Sequence, residues 1–169
     1  MTLMVTASDL QVCDVQHVAT AKVAVMASRA SSDEHYVIDL CDAVLSVKGL
    51  RQHRFPWLLG DPSPKTGRRV ALPVDAYWPG FDLVVEFYER QHDEAVSFFD
   101  KPERLTVSGV HRGLQRALYD GRRRELVPEH GLKLVIITLD AFESRRGKIV
   151  RRPSDDRLAV VSLLEAVRS

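Results

Sequence analysis

The chain reads as one α/β domain, with a mixed sheet flanked by helices on both faces. Three observations predict it. "SSDEHYVIDLCDAVLSVKG" (31–49) sets apolar residues at the three-and-four spacing of a single buried helical stripe. "RVALPVDAYW" and "FDLVVEFY" are short, β-rich runs separated by Pro79-Gly80, as in an antiparallel hairpin. "LKLVIITL" is a largely apolar run after a long helical stretch, the pattern of a sheet strand reached through a crossover helix. At 169 residues, 45% hydrophobic and 28% charged, the chain has the length and composition for one core.

Taken in order, residues 1–30 read as an N-terminal extension, with "HVATAKVAVMASRA" Ala-rich enough to be helical. The first clear helix carries Val37, Leu40, Cys41, Val44 and Val47 on its stripe, and Gly49 is its expected stop. "RQHRFPWLLGD" predicts a strand, and the two prolines and glycine of "DPSPKTGRR" a loop. The two β-rich runs complete a three-stranded meander, with "DLVVEF" in the middle of the sheet. "VHRGLQRALYDGRRRELVPEHG" predicts a helix with apolar Leu114, Ala117, Leu118 and Leu126 and a stop near Gly131. "LKLVIITL" then predicts a buried strand, and "SDDRLAVVSLLEAVRS" a closing helix capped by Ser154 or Asp155. Residues 31–140 form the expected core, and 141–169 a basic linker and helix packed on it.

No apolar run approaches the roughly 20 residues that span a bilayer, and the first residues lack a basic stretch leading into an apolar one. The expectation is a cytoplasmic protein without a membrane partner. Cys13 and Cys41 have neither CxxC spacing nor a ligand cluster, so both read as buried thiols. The formal net charge is only +1, yet basic residues gather in "KTGRR", "RRR" and "ESRRGKIVRR". Each run reads as solvated surface or as part of a basic face.

Asp75 and Glu86 stand near the ends of the two hairpin runs, and His92 lies six residues beyond Glu86. A tight hairpin about Pro79-Gly80 would place the two acids at opposite ends; a wide turn or strong twist lets them converge. Convergent carboxylates make a hard-oxygen site suited to Mg²⁺. The alternatives are a strand-end Asp capping backbone donors and a Glu in a solvated ion pair. An acid after the valine pair of "VVEF" favours a partnered site, because an unpaired charge on a central strand costs roughly several kcal/mol.

From about Ser31 to Ile137, roughly two-thirds of the chain, these residues resemble the PD-(D/E)XK, or restriction-endonuclease-like, superfamily. The resemblance is to small members related to the very-short-patch-repair endonucleases. It rests on Glu34 in "SSDEHYV", Asp75 in "VDAYWP", Glu86 in "LVVEF", His92 in "ERQH", and Asp120, Arg123 and Gly131 in "YDGRRRELVPEHG". It implies a single restriction-endonuclease-like domain that hydrolyses a phosphodiester in DNA with Mg²⁺ or Mn²⁺. Asp75 and Glu86 would be the metal ligands, Glu34 the acid completing the site from the first helix, and His92 a phosphate contact or proton donor. The superfamily's lysine, two residues after the glutamate, is Tyr88 here; Gln91 or Arg90 would take its place from the following turn.

By the same resemblance Arg123, aided by Arg112 or Arg116, would clamp phosphate; the three, at i, i+4 and i+11, share one helix face. Lys65, Arg68 and Arg69 would contact the DNA backbone without regard to sequence. Other roles are open for several of these residues. Glu34 also completes a capping box with Ser31. His92 also suits a turn-closing hydrogen bond. Asp120 and Arg123 suit a surface ion pair, and Gln115 and Tyr119 match a weak QxxxY pattern or simple core packing. The alternative function is a nuclease-fold module, inactive without the lysine, that binds DNA or a protein partner. A homodimer through residues 1–30 and 140–169 is left open.

Overall fold

The computed structural model describes residues 32–89, 106, 109 and 112–165. Helix α1 spans Asp33–Leu45, strand β1 Leu50–Leu59, β2 Ala71–Trp78 and β3 Leu83–Tyr88. Helix α2 spans Arg112–Glu129 and strand β4 Lys133–Thr138; a small β5–β6 hairpin (Ser144–Arg145, Lys148–Ile149) precedes helix α3, Pro153–Glu165. The sheet order is β1-β2-β3-β4. The first three strands are an antiparallel meander, and β4 lies parallel to β3 through the α2 crossover. The expected mixed α/β architecture is what the chain adopts.

Two apolar clusters lie on opposite sides of the sheet. Val37, Ile38 and Cys41 of α1 and Val160 and Leu164 of α3 pack with Leu83, Val85 and Phe87 of β3 and Val135 and Ile137 of β4. Val127 of α2 packs with Val84, Leu58 and Phe55, and alternation along β3 sends 83, 85, 87 one way and 84, 86, 88 the other. Every residue of β3 is buried, as its interior position demands. Burial of that many branched side chains, at about 25 cal/mol per Å², is the main force holding the layers together. The closing helix packs on the core through Val160 and Leu164, and the Cys41 thiol is buried, its pKa pushed up to about 12 chiefly by that burial.

Several local expectations are corrected. Helix α1 ends at left-handed Ser46, three residues before Gly49, and Val47 is exposed. Its cap is Ser32, whose hydroxyl accepts from the His35 N–H (3.4 Å); Ser31 lies outside the described residues. β4 is an edge strand, only half-buried, because no further strand lies beyond it in the described sheet. In α2 the buried residues are Asp120 and Val127, while Leu114, Ala117 and Leu118 are exposed among the described residues. The stop at Gly131 (φ 74°) is as expected: the Leu132 N–H bonds the Val127 carbonyl (3.2 Å) in a Schellman closure. α3 begins at Pro153, and its cap is reversed: Asp156 Oδ2 accepts from the Arg152 N–H (2.7 Å), so Ser154 and Asp155 sit inside the first turn. No helix among the described residues is long and apolar enough to cross a membrane. The expected N-terminal helix and Cys13 fall outside the described residues.

Candidate functional site

The β2–β3 ladder pairs Trp78 with Leu83, Tyr77 with Val84 and Ala76 with Val85, and there it stops. One more step would place Asp75 opposite Glu86. Asp75 and Glu86 are equidistant from the centre of the Pro79–Asp82 turn, so this hairpin brings the two acids together instead of separating them. At that rung side chains replace the backbone ladder. The Asp75 N–H donates to Glu86 Oε1 (3.2 Å), and the Phe87 N–H donates to Asp75 Oδ2 (2.8 Å). β2 stays paired with β1 from Tyr77 back to Ala71, and β3 continues along β4 to Tyr88. The sheet therefore forks between Asp75 and Glu86.

Arg123 of α2 enters the fork. Its Nε and Nη2 donate to the Pro73 carbonyl (3.1 and 2.9 Å), and Nη1 to Asp120 Oδ1 (3.0 Å). Nε also lies 3.5 Å from Glu86 Oε1. Its side chain is only 13% exposed, so the guanidinium is committed to the protein's own oxygens. The ion pair with Asp120 is present, but buried at the sheet and not on the surface.

On the other side of Asp75 stand Gln52 of β1 and Glu34 of α1. The Gln52 amide donates to Glu34 Oε1 (3.1 Å) and helps hold the Asp75 carboxyl down. Glu34 is close enough to raise the Asp75 pKa by like-charge repulsion. In this arrangement Glu34 makes no capping box with Ser32, since the residue that Ser32 caps is His35. Three carboxylates and one guanidinium thus lie around one fork in the sheet, supplied by α1, β2, β3 and α2.

Burial dominates the electrostatics. It pushes Glu86 up to about 8, aided by Asp75 and opposed by Arg123. It pushes Asp75 up to about 6, opposed mainly by the Phe87 N–H. Tyr88, two residues past Glu86 on the same strand face, has its phenol raised well above the ordinary range by burial and the nearby Asp120 and Glu86 charges. The Arg124 guanidinium lies 5.4 Å from its ring centre. A neutral tyrosine occupies the position, so the only full positive charge in the fork is Arg123 among the described residues.

Among the described residues no group of three or more His, Cys, Asp or Glu is arranged to hold a metal ion. A hard cation such as Mg²⁺ keeps several waters and is commonly held by one or two carboxylates together with phosphate oxygens. Asp75 and Glu86, side by side and acceptor-only when ionised, supply a donor set of that kind. The other predicted residues are dispersed. Lys65, Arg68 and Arg69 are exposed on the loop between β1 and β2, and Arg112 and Arg116 are exposed on the first two turns of α2, none of whose residues is buried. Gln91 and His92 lie outside the described residues. Sequence reasoning did not single out Gln52; its pairing across from Asp75 depends on the β1–β2 register, which no local motif announces. Comparison with protein-family models, with curated proteins and with solved structures returned no match.

Proposed function

We propose that the fork between β2 and β3 is a divalent-cation site and that the protein hydrolyses a phosphodiester in DNA, as the resemblance to the PD-(D/E)XK superfamily implies. The observation that carries the reading is the pairing of half-buried Asp75 with buried Glu86, both pushed toward the neutral form and joined by a third acid, Glu34. Keeping carboxylates this close together costs stability whenever they ionise, and a cation among them would offset the cost. Asp75 and Glu86 would hold Mg²⁺ or Mn²⁺, with Glu34 on its outer side. When bound, such an ion supplies a polarised phosphate and a water of lowered pKa. Lys65, Arg68 and Arg69, with Arg112 and Arg116, would hold the nucleic-acid backbone. The proposed parts of Gln91 and His92 are those the resemblance implies, the latter as phosphate contact or proton donor.

Arg123 favours a second reading. Its charge beside Glu86 supplies part of the compensation a metal would, and Tyr88 stands where the superfamily has lysine. A metal-free module that binds DNA or a protein partner would keep the fork in this form. Titration with Mn²⁺ followed by calorimetry, combined with nicking of supercoiled plasmid, separates the two. The enzyme reading expects heat from the wild type, none from Asp75→Asn, and nicking abolished in Glu86→Ala. A wild type that neither binds Mn²⁺ nor nicks leaves the module.

A further inference from the structure

Gln52 is the one residue inside a strand of the described sheet with a left-handed backbone, at φ 51°. For a residue with a Cβ this conformation is unfavourable, and in a strand it has no turn to justify it. No residue is inserted to explain it. The flanking pairs Arg51–Ala76 and His53–Val74 keep the same register, so the distortion is confined to Gln52. It falls on the rung that holds Asp75 on β2 and, one strand further, Glu86 on β3. There the Gln52 amide donates to Glu34 Oε1 at 3.1 Å and lies close enough to Asp75 to hold its carboxyl down.

We propose that Gln52 is a positioning residue for the cation site: its strained backbone aims a carboxamide that ties Glu34 and Asp75 together. The inference rests on the reading of the fork as a cation site. The chemistry of the group suits the task. An NH₂ has two donors and each carboxylate only acceptors, so one amide nitrogen can hold both acids at once. It does so without a charge. An arginine or lysine there would compete with a divalent ion for the same oxygens, whereas a neutral amide orders the two acids and leaves their charge available. On the Glu86 side Arg123 does supply charge, so the two flanks of the fork are held in different ways.

Gln52→Gly and Gln52→Asn test this, because glycine and asparagine both accept a left-handed backbone. Glycine removes the amide, and asparagine is one methylene too short to span both acids. Mn²⁺ affinity by calorimetry and Tm without metal are read for the wild type and both variants. The expected result is an affinity at least about 10-fold weaker in each variant, the range typical for loss of a group that orients metal ligands. Tm in Gln52→Gly is expected to be no lower than in the wild type, since the backbone strain is relieved. A purely structural role would show the reverse, a lower Tm with unchanged affinity, and would overturn the proposal. Variants that bind as tightly as the wild type overturn the role of Gln52 alone. A wild type that binds no Mn²⁺ overturns the cation site and, with it, this role.

Discussion

Glu86 concentrates the energetics of the fork in one ionisation. Its carboxyl, ordinarily near 4.5, is pushed up to about 8 in the folded protein. Below pH 4.5 the folded and unfolded chains both hold the proton, and its retention costs nothing. Between 4.5 and 8 the unfolded chain releases it while the folded one keeps it, so stability falls as pH rises, and the loss is complete above 8. Asp75, raised from 3.8 to about 6, adds a loss of the same sign over a lower window. Glu86→Gln should therefore be more stable than the wild type at pH 9, by roughly a few kcal/mol, with the gap closing toward pH 4. Urea denaturation at the two pH values measures it, and a gap that widens toward acid would contradict the account. Arg123→Met has the opposite character. It strands Asp120, Glu86 and the Pro73 carbonyl, and a cost of about 3 kcal/mol at pH 7 is expected in the same assay. Because Arg123 holds the Glu86 pKa down, the variant should also lose stability more steeply with rising pH.

At the scale of elements, the join between α1 and β1 shows what sequence patterning can and cannot reach. Gly49 reads in the sequence as a helix stop, yet the helix has already ended at Ser46. The glycine is needed for another reason: a Cβ there would lie 2.6 Å from Trp78 Cε2. The indole cannot easily yield, since it is buried and its Nε1–H donates to the Val47 carbonyl (3.1 Å). The Gly49 N–H is held in turn by Asp42 Oδ1 (2.8 Å). Gly49→Ala should cost roughly 1–3 kcal/mol, the usual range for overpacking, and lower the midpoint of a tryptophan-fluorescence melt. A neutral substitution would mean that β1 or the indole shifts freely. Periodicity revealed which segments are helices and strands, because it records one buried face. It was silent on Gly49 against Trp78, on Gln52 opposite Asp75 and on Arg123 in the fork, each a contact between segments distant in sequence. Asp75 and Glu86 were legible as residues; their adjacency was not, since it depends on a turn centred one residue later than Pro79-Gly80 suggests. The apolar residues Leu114 and Leu118 misled for a related reason: the first two turns of α2 have none of their residues buried.

For the molecule as a whole, the net charge of +1 hides a local asymmetry that bears on the proposed contact with nucleic acid. The loop carrying Lys65, Arg68 and Arg69 is ordered by its own bonds, Ser63 N–H to the Arg68 carbonyl (2.9 Å) and Gly67 N–H to the Ser63 carbonyl (2.7 Å). Its base is tied to α2, where Arg122 bonds the Leu59 carbonyl and Asp61 (both 2.7 Å) and the Tyr119 hydroxyl accepts from the Asp61 N–H (3.1 Å). The three basic side chains remain exposed on this held loop. A preformed cationic loop meets phosphates without first being ordered, so most of its charge is available for binding. If it contacts the DNA backbone as proposed, each neutralised phosphate releases a counterion, and the slope of log K against log salt changes by about 0.9 per contact. Replacing all three residues by alanine should make that slope shallower by about 2 to 3, to a similar degree on duplexes of unrelated sequence, in fluorescence anisotropy between 50 and 200 mM salt. Asp75→Asn in the same assay separates binding from the proposed chemistry, since it should leave the metal-free slope near that of the wild type. A triple variant with an unchanged slope would remove this loop from the interface and leave Arg112 and Arg116 as the candidates to carry it.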